Sequence, residues 1–270
     1  MVNPVFFGGH DAVLCDLDGV VYAGDEPIVG AVETLRELGG RGIGVAYVTN
    51  NASRSPQQVA GHLRGFGLDV SAGQVFGSAT AGVDLLTEVL GVSDRPAKVL
   101  VVGSEFLRAE VERYGHQVVA NAAERPDAVI QGFDPAVSWW DLAQASYAIS
   151  AGAEWIATNT DLTIPRAEGI APGNGALVEA VSRATGARPR AAGKPEPLLF
   201  LQAARALGAR NPLVVGDRLD TDILGGNRAG FGTALVLTGV DTAATAAEAA
   251  PEQRPTWVIE TLPALGGEPR

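Results

Sequence analysis

The sequence predicts an α/β protein built on a Rossmann-like doubly wound parallel sheet, with a second α/β module inserted into it. Apolar runs of strand length alternate along the chain with segments whose apolar residues recur at helical spacing, the pattern of β-α-β units. Several of these runs end in acidic or amide side chains. With 270 residues, the chain is long enough for one such domain and an insertion of roughly 100 residues.

The composition is that of a folded protein, with 46% hydrophobic and 19% charged residues. Its formal net charge of −11 disfavours nucleic acid as a partner, and no uncharged apolar run approaches the roughly 18 residues that span a membrane. The single cysteine, Cys15, excludes an intramolecular disulfide, and the N-terminal residues lack the features of a signal peptide. We therefore expect a cytoplasmic location.

The two terminal sections carry the elements of the main sheet. The N-terminal section contains predicted strands at 13–18 and 43–48, and predicted helices at 30–38, from Pro56 towards Phe66 with Ser55 as N-cap, and at 80–90. The C-terminal section contains predicted helices at 195–207 and 221–229, and predicted strands at 213–215 and 233–237. We expect residues 1–82 and 188–270 to share one sheet.

The middle section, residues 83–187, has the elements of a separate module with its own sheet. Its predicted strands lie at 99–102, 128–131 and 155–158, and its predicted helices at 105–114, 139–150 and 176–184. The sequence therefore predicts an inserted domain between the two halves of the main sheet.

Two acidic clusters follow predicted strands of the terminal sections. Asp16 and Asp18 lie at the end of the first strand, where strict alternation places both carboxylates on one face. A second cluster, with Asp217, Asp220 and Asp222, follows another apolar run. Carboxylates this close raise each other's pKa unless a cation lies beside them, and their hard oxygen atoms suit octahedral Mg²⁺. The three histidines are scattered and offer no zinc cluster, so a magnesium site is predicted.

Other polar residues at element ends form a candidate phosphate site. Thr49, Asn50 and Asn51 follow the second predicted strand, where hydroxyl, amide and backbone N–H groups can hold phosphate oxygens. Lys194 precedes a helix predicted to start at Pro195, so its ammonium group can share a phosphate with the positive helix end. Each segment alone is also compatible with a turn, a loop or a solvated lysine. Together, in this order, they favour one shared site.

The segments DLDGVVY, TNN, AGKP and GDRLDTDI resemble the motifs of the haloacid dehalogenase (HAD) superfamily, and more narrowly its NagD-like branch, subfamily IIA. The resemblance covers essentially the whole chain. It implies a HAD-like catalytic core formed by residues 1–82 and 188–270, and an α/β cap at residues 83–187, between the second and third motifs. NagD-like members include phosphatases for glycerol 3-phosphate, phosphoglycolate, pyridoxal phosphate and nucleotides.

The resemblance implies roles for the acidic residues. Asp16 is expected to be the nucleophile that forms an aspartyl-phosphate, and Asp18 the general acid and base. Mg²⁺ is expected to be held by the Asp16 carboxylate, the Asp18 backbone carbonyl and the Asp217 carboxylate, with Asp222 supporting the site.

The resemblance also implies which residues bind the phosphate. Thr49 and Asn50 are expected to hold it, with Asn51 beside them as a further candidate, and Lys194 is expected to pair with both nucleophile and phosphate. We therefore expect a Mg²⁺-dependent phosphatase of small phosphorylated metabolites, with glycerol 3-phosphate as the first candidate substrate and phosphoglycolate, pyridoxal phosphate or a nucleotide as alternatives. A homodimer formed through the cap is compatible with this reading.

Three other classes fit less well. A dehalogenase needs neither Asp18 nor Asp217, and a phosphomutase of this superfamily usually inserts its cap after the first motif, whereas only about 30 residues separate Asp18 from Thr49. A protein that binds phosphate or metal without catalysis would not need Asp16, Asp18, Lys194 and Asp217 together.

Substrate selectivity is predicted to lie in the segment 161–175 of the cap, expected to be a long loop without regular structure. Arg166 and Glu168 are its long charged side chains after Asp161, and are the candidates for contacting the leaving group of the substrate. Asn174 is the expected N-cap of the following helix.

Overall fold

The computed structural model describes residues 7–166 and 168–267. Within these residues the chain forms two compact units. The first comprises Met1–Thr49, Pro56–Phe76 and Lys194–Arg270, and the second comprises Asn50–Ser55 and Gly77–Gly193, so far as they are described.

The strands, numbered in chain order, are β1 (Ala12–Cys15), β2 (Tyr22–Ala23), β3 (Glu26–Pro27), β4 (Gly44–Thr49), β5 (Val75–Gly77), β6 (Lys98–Val102), β7 (Gln117–Val119), β8 (Ala128–Gln131), β9 (Glu154–Ala157), β10 (Thr163–Arg166), β11 (Gly169–Pro172), β12 (Arg190–Ala191), β13 (Pro212–Gly216), β14 (Gly232–Val236) and β15 (Trp257–Ile259). The α-helices are α1 (Ala31–Gly40), α2 (Pro56–Gly65), α3 (Ser78–Leu90), α4 (Glu105–Arg113), α5 (Trp139–Ser150), α6 (Asn174–Thr185), α7 (Leu198–Leu207), α8 (Leu224–Arg228) and α9 (Ala243–Glu248).

The first unit is built around a six-stranded sheet in the order β15-β14-β13-β1-β4-β5. β1 pairs in parallel with β4 on one side and with β13 on the other, and β14 and β15 continue the parallel ladder beyond β13. From the central β1, the next strands of the chain extend the sheet in one direction and the last strands in the other. The sheet is therefore doubly wound, which confirms the predicted fold class.

Apolar packing covers β1 on both faces. Val13 and Cys15 belong to one buried cluster with Leu38 of α1 and Leu63 of α2. Alternation along the strand directs Leu14 away from that cluster, and α7 packs on β1 and β4. All four residues of β1 are buried, as expected of a central parallel strand. The residues that follow β1 are thus anchored to the best-packed part of the sheet.

The second unit has its own parallel sheet, in the order β12-β9-β8-β6-β7. Residues of α3 and α4 pack with Val99, Val101 and Ile130 in one buried cluster, and residues of α5 and α6 pack with Leu100 and Val129 in another. Because neighbouring strand residues point to opposite faces, the two clusters lie on opposite sides of the sheet. This unit therefore has the two helical layers and sheet expected of an α/β domain.

The two units divide at different residues from those predicted. The second unit already includes Gly77, because α3 begins at Ser78 and its buried residues pack on β8 and β9 of that unit's sheet. It extends to Gly193, because β12 pairs with β9. The predicted boundaries after residues 82 and 187 cut through α3 and excluded β12.

The segment 161–175 is not an irregular loop, and that expectation was wrong. It contains an antiparallel hairpin in which Thr163 pairs with Pro172 and Arg166 pairs with Gly169. Its strands have four residues each and include proline, so alternation gave little signal there.

Two helix starts also differ from the predictions. α7 begins at Leu198 rather than Pro195, and Pro197 is its N-cap residue. The N-cap of α6 is Gly173 rather than Asn174, and the Asn174 side chain instead donates to the Asn159 carbonyl oxygen at 2.7 Å. Within residues 7–166 and 168–267, none of the helices has the length and apolarity that a membrane crossing requires.

Candidate active site

Three polar residues of the first unit lie at the carboxyl ends of neighbouring parallel strands. Asp16 follows β1, Thr49 is the last residue of β4, and Asp217 follows β13. The Asp16 N–H continues the ladder by donating to the Val215 carbonyl oxygen at 2.8 Å. Since β1 lies between β4 and β13, the sheet itself brings these residues to one edge, where open parallel sheets bind their ligands.

Lys194 is buried between two of the predicted site residues. Its Nζ atom lies 2.5 Å from Asp16 Oδ1 and 2.6 Å from Asp222 Oδ1, and 3.4 Å from the Val48 carbonyl oxygen. The lysine side chain is only 4% exposed. Its charge is therefore balanced by two carboxylates. Helix α7 begins four residues after Lys194, at Leu198, rather than directly after it as predicted.

Three carboxylates come together around this lysine. Oxygen atoms of Asp16, Asp217 and Asp222 all lie within 4.8 Å of one another, and all three residues are buried. Two of the carboxylates are oriented by backbone donors: Val240 N–H binds Asp217 Oδ2 at 2.8 Å, and Arg218 N–H binds Asp222 Oδ2 at 3.3 Å. The arrangement confines three acidic groups to a small, largely dehydrated volume.

The cluster perturbs the pKa of each member. Burial, reinforced by repulsion from Asp16 and Asp222, raises the pKa of Asp217 to about 8. Burial and the charge of Asp16 raise the pKa of Asp222 to about 6, although Lys194 opposes the rise. Burial also raises the pKa of Asp16, again against the effect of Lys194. Although burial alone would lower the pKa of Lys194, the two carboxylates beside it raise that pKa above its ordinary value.

Two glycines make room for Asp217, and no sequence pattern predicts this role for them. A Cβ atom on Gly239 would lie 2.0 Å from Asp217 Oδ2, and one on Gly19 would lie 2.4 Å from the same oxygen. Gly19 also has a φ of 81°, which disfavours other residues. The Thr238 hydroxyl donates to the Gly19 carbonyl oxygen at 2.7 Å. These residues shape the site without contributing a charged group.

Asp18 lies in the turn after β1 and is exposed, whereas Asp16 is buried. The strand ends at Cys15, so strand alternation does not extend to these positions, and the prediction of one shared face on a strand was wrong. A backbone bridge joins Asp18 to Tyr22. The turn therefore separates a buried carboxylate from a solvent-accessible one two residues later.

Two family models match the chain. One is described as haloacid dehalogenase-like hydrolase and matches residues 13–117, and the other is described as HAD-hydrolase-like and matches residues 191–265. D-glycerol 3-phosphate phosphatase of Mycobacterium tuberculosis is 46% identical over 256 residues, which are 95% of this chain and 71% of that protein. The chain belongs to the haloacid dehalogenase-like hydrolase family.

Further comparisons agree with this assignment. A 5'-nucleotidase of Bacillus subtilis is 37% identical to the HAD-like hydrolase, over 94% of this chain and 96% of the nucleotidase. A crystal structure of glycerol phosphate phosphatase from M. tuberculosis in complex with magnesium matches with a TM-score of 0.89 and 44% identity, over 96% of this chain and 78% of that one. The resemblance to NagD-like phosphatases and the predicted enzyme class, a phosphoric monoester hydrolase, are thereby confirmed.

The acidic cluster of the HAD-like hydrolase fits a divalent cation. When all three carboxylates are ionised, they and the one ammonium group leave two net negative charges in a buried site, and unpaired buried charges are costly. A divalent cation balances this charge, and carboxylate oxygens are the ligands that Mg²⁺ prefers. The donor set present in the structure is therefore suited to Mg²⁺.

The side chains of Asn50 and Asn51, predicted as phosphate ligands, have partners within the second unit. Asn50 Nδ2 donates to Asp161 Oδ1 at 2.8 Å, and Asn51 Oδ1 accepts from both the N–H and the hydroxyl of Ser53, at 2.8 and 2.9 Å. The Asn50 carbonyl oxygen accepts from the Ser78 hydroxyl at 2.6 Å. Both asparagines thus hold together the segment that leads into the second unit.

The two candidates for selectivity lie at the tip of the β10–β11 hairpin of the second unit. Arg166 is the last residue of β10, and its side chain lies outside the described part of the structure. Glu168 is exposed in the turn before β11. Arg166 therefore pairs with Gly169 at the end of the hairpin ladder, and Glu168 directly precedes Gly169 in the chain.

Proposed function

We propose that this HAD-like hydrolase is a Mg²⁺-dependent phosphatase of small phosphomonoesters, in which Asp16 is transiently phosphorylated. The observation that carries the proposal is the buried Lys194, whose ammonium group bridges Asp16 and Asp222 beside Asp217. This arrangement supplies a carboxylate nucleophile, a fixed positive charge and a set of hard oxygen ligands at the carboxyl edge of one sheet.

In this proposal Mg²⁺ is held by the Asp16 carboxylate, the Asp18 backbone carbonyl and the Asp217 carboxylate, while Asp222 supports the site through Lys194. When bound, the cation supplies positive charge that offsets repulsion between carboxylate and phosphate. Lys194 supplies a second fixed charge at Asp16, which favours the ionised form of this buried carboxylate and orients it.

The reaction proceeds in two steps. A carboxylate oxygen of Asp16 attacks phosphorus while the ester oxygen leaves, and Asp18 donates its proton to the departing alkoxide. Asp18, now a carboxylate, accepts a proton from water, which attacks the phosphorus of the aspartyl-phosphate and restores Asp16. The exposure of Asp18 suits this exchange of protons with substrate and water, and the burial of Asp16 keeps competing water from the nucleophile.

Thr49 is proposed to hold phosphate oxygens through its hydroxyl and backbone N–H groups, at the strand end next to Asp16. Asn50 and Asn51 are proposed to contribute backbone N–H groups, because the Asn50 Nδ2 atom already donates to Asp161 and the Asn51 amide is already held by Ser53.

Glycerol 3-phosphate is the proposed substrate. The support is the 46% identity to D-glycerol 3-phosphate phosphatase of M. tuberculosis, over nearly all of this chain. The similarity to a 5'-nucleotidase keeps nucleoside monophosphates as the alternative, with phosphoglycolate and pyridoxal phosphate behind them. No nucleic acid or membrane partner is proposed.

Selectivity is proposed to depend on Arg166 and Glu168, because a hairpin tip is a surface position that can change without disturbing the core. Arg166→Ala and Glu168→Ala are expected to change the order of preferred substrates and to leave hydrolysis of p-nitrophenyl phosphate intact. Equal loss on every substrate would instead indicate a structural role for the hairpin.

A homodimer formed through the second unit, the predicted cap, is also proposed. Trp139, Trp140 and Tyr147 of α5 are 76%, 59% and 56% exposed. Asp141 is the one charged residue of this helix, and its carboxylate is bound by Ser138. Such an uncharged aromatic face suits an isologous contact between acidic chains. Light scattering after size exclusion is expected to give a dimer that Trp140→Glu dissociates, and a monomeric wild type would contradict the proposal.

The proposed activity is tested by measuring phosphate release from a panel of phosphomonoesters, with and without Mg²⁺. Asp16→Asn is expected to abolish release, because an amide is a poor nucleophile. Asp220→Asn is the matched control, since Asp220 lies in the same acidic segment but pairs with Arg218 at the surface. Activity of Asp16→Asn within about tenfold of the wild type would refute the assignment, because loss of a nucleophile costs far more.

A further inference from the structure

The turn that carries Asp18 is fixed on one side by the acidic cluster. Gly19 lies against Asp217, so closely that a Cβ atom would be 2.4 Å from Asp217 Oδ2. The Thr238 hydroxyl holds the Gly19 carbonyl oxygen at 2.7 Å. These contacts fix the position of Gly19, but they do not involve Tyr22.

Backbone hydrogen bonds also connect the turn to Tyr22. The Gly19 N–H donates to the Tyr22 carbonyl oxygen at 2.8 Å, and Asp18 forms a backbone bridge with Tyr22. The Leu17 carbonyl oxygen accepts from the Val21 N–H at 2.8 Å. Because the backbone of Asp18 and Gly19 is bonded to that of Tyr22, a shift of Tyr22 would move Asp18.

Tyr22 is held in turn by two aromatic rings, one from α2 and one just after it. The Tyr22 ring meets the His62 ring edge to face, with centroids 5.0 Å apart and an interplanar angle of 85°. His62 meets Phe66 at 4.6 Å and 68°, and Phe66 lies 5.9 Å from Tyr22. Edge-to-face contacts of this kind fix the relative orientation of aromatic rings. The three rings form one cluster, the Tyr22 cluster, which is anchored on a helix of the main sheet.

The imidazole of His62 behaves as an aromatic ring in this cluster. Its Nε2 atom is buried and has no hydrogen-bond partner in the part of the chain that the structure describes. Because this nitrogen contributes no hydrogen bond to the described residues, the contact with Tyr22 depends on the shape of the ring. A phenylalanine is expected to serve equally well there.

We propose that His62 and Phe66 are positioning residues for Asp18, and that they act through Tyr22. The inference rests on the proposed role of Asp18 as the proton donor to the leaving alkoxide. Loss of a ring lets Tyr22 shift and misplaces the Asp18 carboxyl group. Asp16 keeps its place directly after β1, and Lys194 keeps its place in the acidic cluster. Phosphate binding is therefore retained, and protonation of the leaving group is slowed.

The test compares kcat and KM for an alkyl phosphate, which needs protonation, with those for p-nitrophenyl phosphate, whose leaving group needs little. For His62→Ala we expect about a tenfold fall in kcat on the alkyl ester, less than about a threefold fall on p-nitrophenyl phosphate, and unchanged KM. His62→Phe is expected to restore the wild-type values. Phe66→Leu, which retains apolar volume, is expected to act like His62→Ala should the latter fold poorly.

Two controls separate this inference from its premises. Phe7→Ala removes a ring from a different aromatic pair of the same unit, with Trp257 at 5.4 Å, and is expected to change stability without changing the preference between leaving groups. Asp18→Asn must itself show that preference. If it does not, the proposed role of Asp18 fails. If Asp18→Asn shows the preference but His62→Ala slows hydrolysis of both esters equally, or of neither, the positioning role is overturned. The same conclusion follows if His62→Phe behaves like His62→Ala.

Discussion

Replacement of Lys194 by methionine tests the electrostatics of the site through stability rather than activity. The change keeps an unbranched side chain that is one atom shorter, and it removes the charge that lies 2.5 Å from Asp16 and 2.6 Å from Asp222. Both carboxylates remain buried, Asp222 almost completely. Breaking a buried ion pair from one side costs about 3–5 kcal/mol, because an uncompensated charge is left behind.

The cost of this replacement depends on pH. The pKa of Asp222 is already raised to about 6 with the lysine present, and loss of the lysine raises it further. A carboxyl group whose pKa is raised in the folded state binds more protons when folded, so stability falls as pH rises from about 4 through the folded-state pKa. The destabilisation by Lys194→Met is therefore expected to be larger at about pH 8 than at about pH 5.5.

Thermal denaturation followed by circular dichroism in excess chelator measures this effect. For a unit of this size, about 3–5 kcal/mol corresponds to a fall in Tm of about 6–20 °C. Lys98→Met is the matched control, because Lys98 makes one exposed hydrogen bond to the Glu124 carbonyl oxygen, and a surface change of this kind costs within about 0.5 kcal/mol. A Tm equal to that of the wild type at the higher pH, or a larger loss at the lower pH, would refute the assigned electrostatics.

Three further predictions concern the acidic cluster, a glycine that packs against it and an ion pair of the second unit. Mg²⁺ at a fixed subsaturating concentration is expected to raise Tm more at about pH 8 than at about pH 6, because it must displace the proton of Asp217, whose pKa is raised to about 8; a constant rise would contradict this. Gly239→Ala is expected to lower the free energy of unfolding by about 1–3 kcal/mol, measured by urea unfolding, because its Cβ atom would lie 2.0 Å from Asp217 Oδ2. Gly39→Ala serves as the control, because a Cβ atom at Gly39 would have open space around it. Asp127→Ala is expected to destabilise the protein by about 1 kcal/mol near neutral pH, because hydrogen bonds from Arg95 lower the pKa of Asp127 and stabilise its ionised form. This stabilisation is lost when Asp127 is protonated, so the Tm values of variant and wild type are expected to converge below about pH 4.

The sequence predicts best those elements in which several local signals agree. Helix α5 and strand β8 have the predicted limits, because Ser138 caps the helix and the strand is a continuous apolar run. The hairpin from Thr163 to Pro172 was missed, because its strands are short and contain proline. The start of α7 was misplaced for the opposite reason: Pro195 has the signal of a first helical residue, but the helix begins at Leu198.

The site also contains residues that the sequence predicts and residues that it does not. Asp16 and Asp217 were predictable because each follows an apolar strand, and the parallel sheet then places them together. The contributions of Gly19, Thr238 and Gly239 were not predictable, because they arise from contacts between separate segments of the chain, such as Thr238 with Gly19, 219 positions apart, for which short sequence patterns carry no signal.

Phosphorylation of Asp16 is the central claim, and it is tested most directly by trapping the phosphorylated enzyme. The protein is mixed with Mg²⁺ and substrate, quenched in acid during turnover, and reduced with borohydride, which converts a phosphorylated aspartate to homoserine. Mass spectrometry of the peptide spanning Cys15 to Asp18 then locates the modified residue. We expect homoserine at position 16 only when both substrate and Mg²⁺ are present. We expect none in Lys194→Met under conditions in which that variant does not hydrolyse substrate. Homoserine at position 18, or turnover with no homoserine at either position, would contradict the proposed mechanism.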